Sequence, residues 1–164
     1  LSLGENLQPW VVAIRVHVPG RLATAEAGRV HLTRYPDTIT IDIAKLAQDD
    51  YVEFAKEQGG ATPLLMISER PFPMPSVEVR AHWRESAKQD PGFEAIALVL
   101  GGVVGLMAAA ATHLGEQLVS VLGVRFRSFK EPYDAADWLC EIVNCGVGVD
   151  ELLEAARELR NIDR

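Results

Sequence analysis

At 164 residues the chain has the length of one domain, enough for a single sizeable core. Hydrophobic residues make up 48% and charged residues 24%, the balance of a soluble globular protein, while a net charge of −7 argues against non-specific binding to nucleic acid or anionic lipid. The two cysteines, Cys140 and Cys145, are too few for a disulfide framework, and the start carries no signal-like charged and apolar regions. A reducing, cytoplasmic setting is the expectation.

Residues 1–9 are polar. From Trp10 to Val18 the sequence alternates, with Val12, Ile14, Val16 and Val18 on one face and Arg15 and His17 on the other. That pattern predicts a half-buried strand, ended by Pro19-Gly20. Residues 21–28 are small and charged and read as a linker or a short helical turn, joining an N-terminal extension (1–28) to a main domain (29–144). Residues 30–35 and 38–43 read as two strands around Pro36-Asp37, an antiparallel hairpin with Ile39, Ile41 and Ile43 on one face. A helix over 48–58 follows, with Asp49 and Asp50 in its first turn and Gly59-Gly60 as its stop. Its buried stripe is Tyr51 or Val52 with Phe54 and Ala55.

Pro63-Leu-Leu-Met-Ile67 is a continuous apolar run of strand length, suited to a central parallel strand. Pro71, Pro73 and Pro75 hold the next segment extended, and Ser76 is placed to cap a helix over 77–89 that turns Val79, Trp83 and Ala87 inward. A strand over 95–100 stops at Gly101-Gly102, and a small-apolar helix is expected over 103–111. Residues 95–112 carry no charge and contain Gly101-x-x-x-Gly105, a spacing seen in membrane helices. Two adjacent glycines cost a helix about 1 kcal/mol each relative to alanine, and no basic or aromatic belt flanks the run. A buried strand followed by a buried helix is the better reading. A strand over 124–129 leads to a helix begun by Pro132, with Ala135, Trp138, Leu139 and Ile142 on one face. Residues 145–164 are expected as a C-terminal extension, with Asp150 capping a helix over 151–160 striped by Leu152, Leu153, Ala156 and Leu159.

No catalytic constellation stands out. The histidines at 17, 31, 82 and 113 form neither a metalloprotease pair nor a Ser/His/Asp order. Glu78 and His82 share a helix face, but a metal needs a third ligand, so a solvated face is expected there. Cys140 and Cys145 have no second Cys/His pair for zinc, and Cys140 reads as core packing. Gly101-Gly102 lies between strand and helix as a phosphate loop would, yet without a GxGxxG or GK[ST] pattern it reads as close packing. Trp83 and Trp138 read as core anchors. The expectation is therefore no metal and no cofactor. Pro71-Phe-Pro-Met-Pro75 is a rigid strand-to-helix loop at the C-terminal end of the sheet, where α/β folds place recognition surfaces.

The predicted succession from 30 to 143 runs strand, strand, helix, strand, helix, strand, helix, strand, helix. With its closing Phe126-Arg-Ser-Phe129 and Ala135-Ala-Asp-Trp-Leu139, and with Phe93-Glu-Ala-Ile-Ala97 as central strand, it resembles the STAS fold of anti-sigma-factor antagonists. More narrowly it is similar to the divergent bacterial SpoIIAA-like branch. The resemblance implies an α/β domain with a mixed sheet, the first strand pair antiparallel and the rest parallel, packed with four to five helices. It implies a non-enzymatic, cytoplasmic regulatory module that binds a kinase-like or scaffold protein and leaves room for a homodimer. Its members are often regulated by phosphorylation of a serine at the start of the helix after the third strand, commonly within Asp-Ser-Ser/Thr-Gly. Ser76 takes that place here, within Met74-Pro-Ser-Val77, and Phe72, Met74, Ser76, Arg80 and Arg84 become the candidate partner surface. The alternative on the same fold is a small-molecule or lipid sensor, with an apolar pocket between residues 103–111 and the sheet.

Overall fold

Six strands lie in one sheet in the order of the chain, β1 (Ala13–Val18), β2 (Leu22–Ala27), β3 (Val30–Tyr35), β4 (Thr62–Ser68), β5 (Phe93–Leu100) and β6 (Arg125–Phe129). The structure is a computed structural model that describes residues 13–69, 75–100 and 123–162. β1, β2 and β3 pair antiparallel, and β3 through β6 pair parallel, so the molecule is an α/β protein with a mixed sheet. Its described helices are α1 (Ile41–Gln58), α2 (Val77–Lys88), α3 (Pro132–Ile142) and α4 (Val149–Asn161).

Parallel neighbours need a crossover, and consecutive crossovers of one hand put their helices on one face. α1 connects β3 to β4 and α2 connects β4 to β5. Their buried residues Ile43, Ala47 and Val79 form a cluster with Leu22 and Tyr35, and Tyr51 and Ala55 pack with Leu64 and Ile96. α3 and α4 cover the opposite face. There, alanines on the sheet (Ala23, Ala25, Ala95, Ala97) meet alanines on the helices (Ala135, Ala136, Ala155, Ala156), with Leu32, Leu65, Leu139, Leu152 and Leu159 filling the layer. Small residues on both sides let helix and sheet approach closely, and each buried leucine contributes about 1.5–3 kcal/mol.

Two expected elements are corrected. Residues 38–43 are not a strand. Ile39, Ile41 and Ile43 alternate, but the burial that decides the element runs Ile43, Ala47, Tyr51, Phe54 and Ala55, a helical period. The helix therefore starts at Ile41, seven residues before the expected position, and its first-turn acid is Asp42. Asp50 moves to mid-helix, on the buried face. Residues 21–28 are not a linker or helical turn either. They contain β2, whose Leu22, Ala23, Ala25 and Ala27 are buried although the segment reads as small and charged. The sheet's antiparallel part is thus β1–β2–β3.

Smaller differences have local causes. A register shift between Val16 and Val18 takes Val18 to the α1 face, so the expected single face of β1 breaks and Val16 stays exposed. α4 begins after Gly148, and Asp150 lies in its first turn rather than at its cap. Trp83 and Trp138 are half-buried rather than central, with the Trp138 ring 5.6 Å from that of Phe129. Ala87 and Leu153 are half-buried, and Ser86 and Ala155 are the residues buried beside them on α2 and α4. Gly59, at φ 91°, stops α1, and Pro132 opens α3. The 103–111 helix and the Gly101-Gly102 turn lie outside the described residues, as does the sensor pocket that would adjoin them. Among the described residues no helix is long and apolar enough to cross a membrane.

The chain ends of this layer are locked at one point. Gly28 turns β2 into β3 at φ +56°, and a Cβ there would lie 2.5 Å from the Cys145 carbonyl oxygen. The Arg29 amide donates to that same carbonyl at 2.8 Å, and its guanidinium donates to the Asn144 carbonyl at 2.7 Å and to Glu94 at 3.0 Å. Gly28→Ala is expected to lower stability by more than about 1 kcal/mol, since it combines positive φ with a backbone clash. Chemical denaturation checks this; an unchanged midpoint would mean that the 144–147 turn can withdraw from β2–β3 without loss.

Candidate functional site

Two polar regions stand apart from the cores. The first is buried at the antiparallel end of the sheet. Register sets Arg15 of β1 against Thr24 of β2, and Glu26 of β2 against His31 of β3, so their side chains stand on the α1 face. α1 lays Asp50 over them, its side chain only 6% exposed. His31 donates from Nε2 to Asp50 Oδ2 at 2.7 Å, and Arg15 donates to Oδ1 at 3.0 Å. The Thr24 hydroxyl also bonds this carboxylate and meets His17 Nε2 at 2.9 Å. Arg15 reaches on to Glu26 at 3.1 Å, and Thr33 Oγ1 lies 3.3 Å from His31 Nδ1.

Burial alone would push the Asp50 carboxyl upward. The hydrogen bonds from His31 and Thr24, and the charges of His31 and His17, outweigh it and hold the carboxyl well below the usual range. Glu26 lies on the other side of that balance: burial raises it, and Arg15 only partly offsets the shift. Thr33, His31 and Asp50 form a hydroxyl–imidazole–carboxylate series, but Thr33 and His31 are buried. No substrate reaches that hydroxyl in this conformation. What the group does is hold β1, β2 and β3 to α1.

The second region is the C-terminal end of the parallel strands, where Ser76 caps α2. Its Oγ accepts the Val79 amide at 3.2 Å, and its carbonyl accepts the Arg80 amide at 3.0 Å. Ser76 is exposed. Val77 (68% exposed), Arg80 and Arg84 follow at helical spacing on one face of α2, while Val79, Trp83 and Ser86 turn inward. Neither arginine forms a salt bridge among the described residues, and the buried Arg80 Nε has no hydrogen-bond partner. Phe72 and Met74 lie outside the described residues. Across the same end, Glu69 accepts from Arg34 at 2.9 Å and from Arg160 at 3.4 Å, tying β3 and α4 to the end of β4. Burial would raise Glu69, but those two guanidiniums bring it below its ordinary value.

Ser76, Arg80 and Arg84 thus share a surface. Among the described residues Glu78 and His82 gain no third ligand, and no group of three or more His, Cys, Asp or Glu could hold a metal ion. Both cysteines are free. Burial pushes the Cys140 and Cys145 thiols upward, the opposite of an activated nucleophile. The Asp50 network and the Glu69 bridge were not anticipated from sequence. A signal for the first was present, because His31 and Thr33 stand two apart on an apolar strand, an inward polar pair that needs a partner.

No known protein family, curated protein or solved structure gives a significant match to this chain.

Asp50 and Glu69 both have folded-state values below those of the unfolded chain. Their contribution is therefore fully present above the ordinary carboxylate range and is lost as pH falls through and below about 4. Urea midpoints measured down from neutral pH are expected to drop in that window. Asp50→Ala is expected to cost about 3–5 kcal/mol at neutral pH, because it leaves Arg15 and His31 facing a buried void. It should also flatten the acid limb. An acid limb as steep as that of the wild type would assign the effect to other carboxylates.

Proposed function

We propose that the protein is a non-enzymatic, cytoplasmic regulatory module of the STAS type that works by docking a kinase-like or scaffold protein on the N-terminal part of α2. The observation that carries this reading is the surface of Ser76, Val77, Arg80 and Arg84. It combines an exposed apolar side chain with two cations that no carboxylate among the described residues pairs with. Four other arginines are engaged internally: Arg15 with Asp50 and Glu26, Arg29 with Glu94, and Arg34 and Arg160 with Glu69. Arginine and a protruding apolar residue are the usual anchors of a protein contact. The consecutive parallel strands also support the reading, since they present strand-to-helix connections at one end of the sheet, where α/β proteins bind their ligands.

The test is capture from extract of the parent cells with the wild type and an Arg80→Glu/Arg84→Glu double variant. A specific partner held by the wild type and lost by the double variant is expected; equal capture would remove α2 from the contact. Ser76 adds a second arm. Its hydroxyl already serves as a helix cap, so Ser76→Ala should lose about 1 kcal/mol of stability. Ser76→Asp keeps an oxygen acceptor and favourable charge at the helix N-terminus. Both variants are expected to capture the same partner as the wild type. Loss of capture in Ser76→Asp alone would make Ser76 a phosphorylation switch instead of a cap.

A further inference from the structure

β6 ends the sheet. It pairs with β5 from Ala95↔Arg125 to Val99↔Phe129, and among the described residues no strand lies along its other side. A parallel pairing uses alternate backbone N–H and C=O groups, which leaves the intervening ones directed outward. The side chains of this edge are unusual for a chain of net charge −7. Arg125 and Arg127 are both exposed, stand two residues apart on one face, and form no salt bridge among the described residues. The Arg127 guanidinium lies 5.3 Å from the centre of the Phe129 ring, which packs in turn on Trp138. The result is a strip of two cations and two half-buried aromatic rings beside backbone groups that no strand among the described residues pairs with.

We infer that the outer edge of β6 receives an extended acidic segment of a partner protein, which adds a seventh strand to the sheet. Carboxylates at alternate positions of that segment meet Arg125 and Arg127, and its backbone completes the β6 ladder. Charge selects this occupant over the alternatives on the molecule itself. A second β6 pairing with this one would bring arginines against arginines. Edge arginines also discourage non-specific pairing, but that role requires neither the ring contact of Arg127 nor the adjoining aromatic pair. The surface lies on a different element from α2 and stands whether or not α2 docks a partner.

The experiment uses the full chain labelled with nitrogen-15 and a short synthetic peptide alternating glutamate with valine, with a glutamine-for-glutamate peptide as control. Saturable shifts at the β6 amides, slowed hydrogen exchange of those amides in the complex, and weakening by salt are expected. The Arg125→Glu/Arg127→Glu variant, altered only at exposed side chains, should lose the shifts while keeping the spectrum of the folded chain. Equal binding of the glutamine peptide would overturn the inference. So would shifts centred on α2, or β6 amides that are fully protected before any peptide is added.

Discussion

A single buried carboxylate ties all three antiparallel strands to α1. Asp50 receives Arg15 from β1, Thr24 from β2 and His31 from β3, so one residue of α1 touches three strands. Removing a carboxylate from water is costly, and hydrophobic residues of similar shape could give equal or greater stability. What the carboxylate adds is register. A slip of one residue in β2 or β3 would turn Thr24 or His31 to the opposite face and leave Asp50 buried without those donors. Alanine-rich β2, with Ala23, Ala25 and Ala27 on its other face, specifies register weakly by shape, so the polar side does that work.

The two ends of the sheet differ accordingly. In the antiparallel half, polar side chains largely answer one another: His17 meets Thr24, Thr33 meets His31, and Arg15 bridges Asp50 and Glu26. A network that satisfies itself has little left with which to bind a ligand. Arg80, Arg84, Arg125 and Arg127, by contrast, form no salt bridge among the described residues. The overall charge is negative, yet these uncompensated cations lie on α2 and β6. For recognition this distribution matters more than the net value, because screened surface charges act over about 8–10 Å.

Elements with one strong local signal were legible in the sequence. The run ending at Ile67, the run ending at Leu100, Ser76 before α2 and Pro132 before α3 each carried their own boundary or period, and the structure places strands and helices there. Failure came where two periods coexisted. Ile39, Ile41 and Ile43 alternate as a strand does, while Ile43, Ala47 and Tyr51 recur as a helix does, and only packing against the sheet chooses between them. β2 failed for another reason. Leu-Ala-Thr-Ala-Glu-Ala has low strand propensity and a charge, and it is a strand because its neighbours β1 and β3 and helix α4 enclose it.

That one error about residues 38–43 also hid the polar network. With a helix begun at 48, Asp50 belongs to a solvated first turn, where an acid is stabilised by the helix dipole and needs no partner. With the helix begun at Ile41, the same residue lies in the third turn on the face that carries Ile43, Ala47 and Tyr51, and a carboxylate there must find donors. His31 and Arg15 are then no longer incidental polar residues of two strands but the groups that make the position tenable. Extending α1 by seven residues thus converts three unrelated polar residues into one network, and it accounts for the buried histidine without invoking a metal or a reaction.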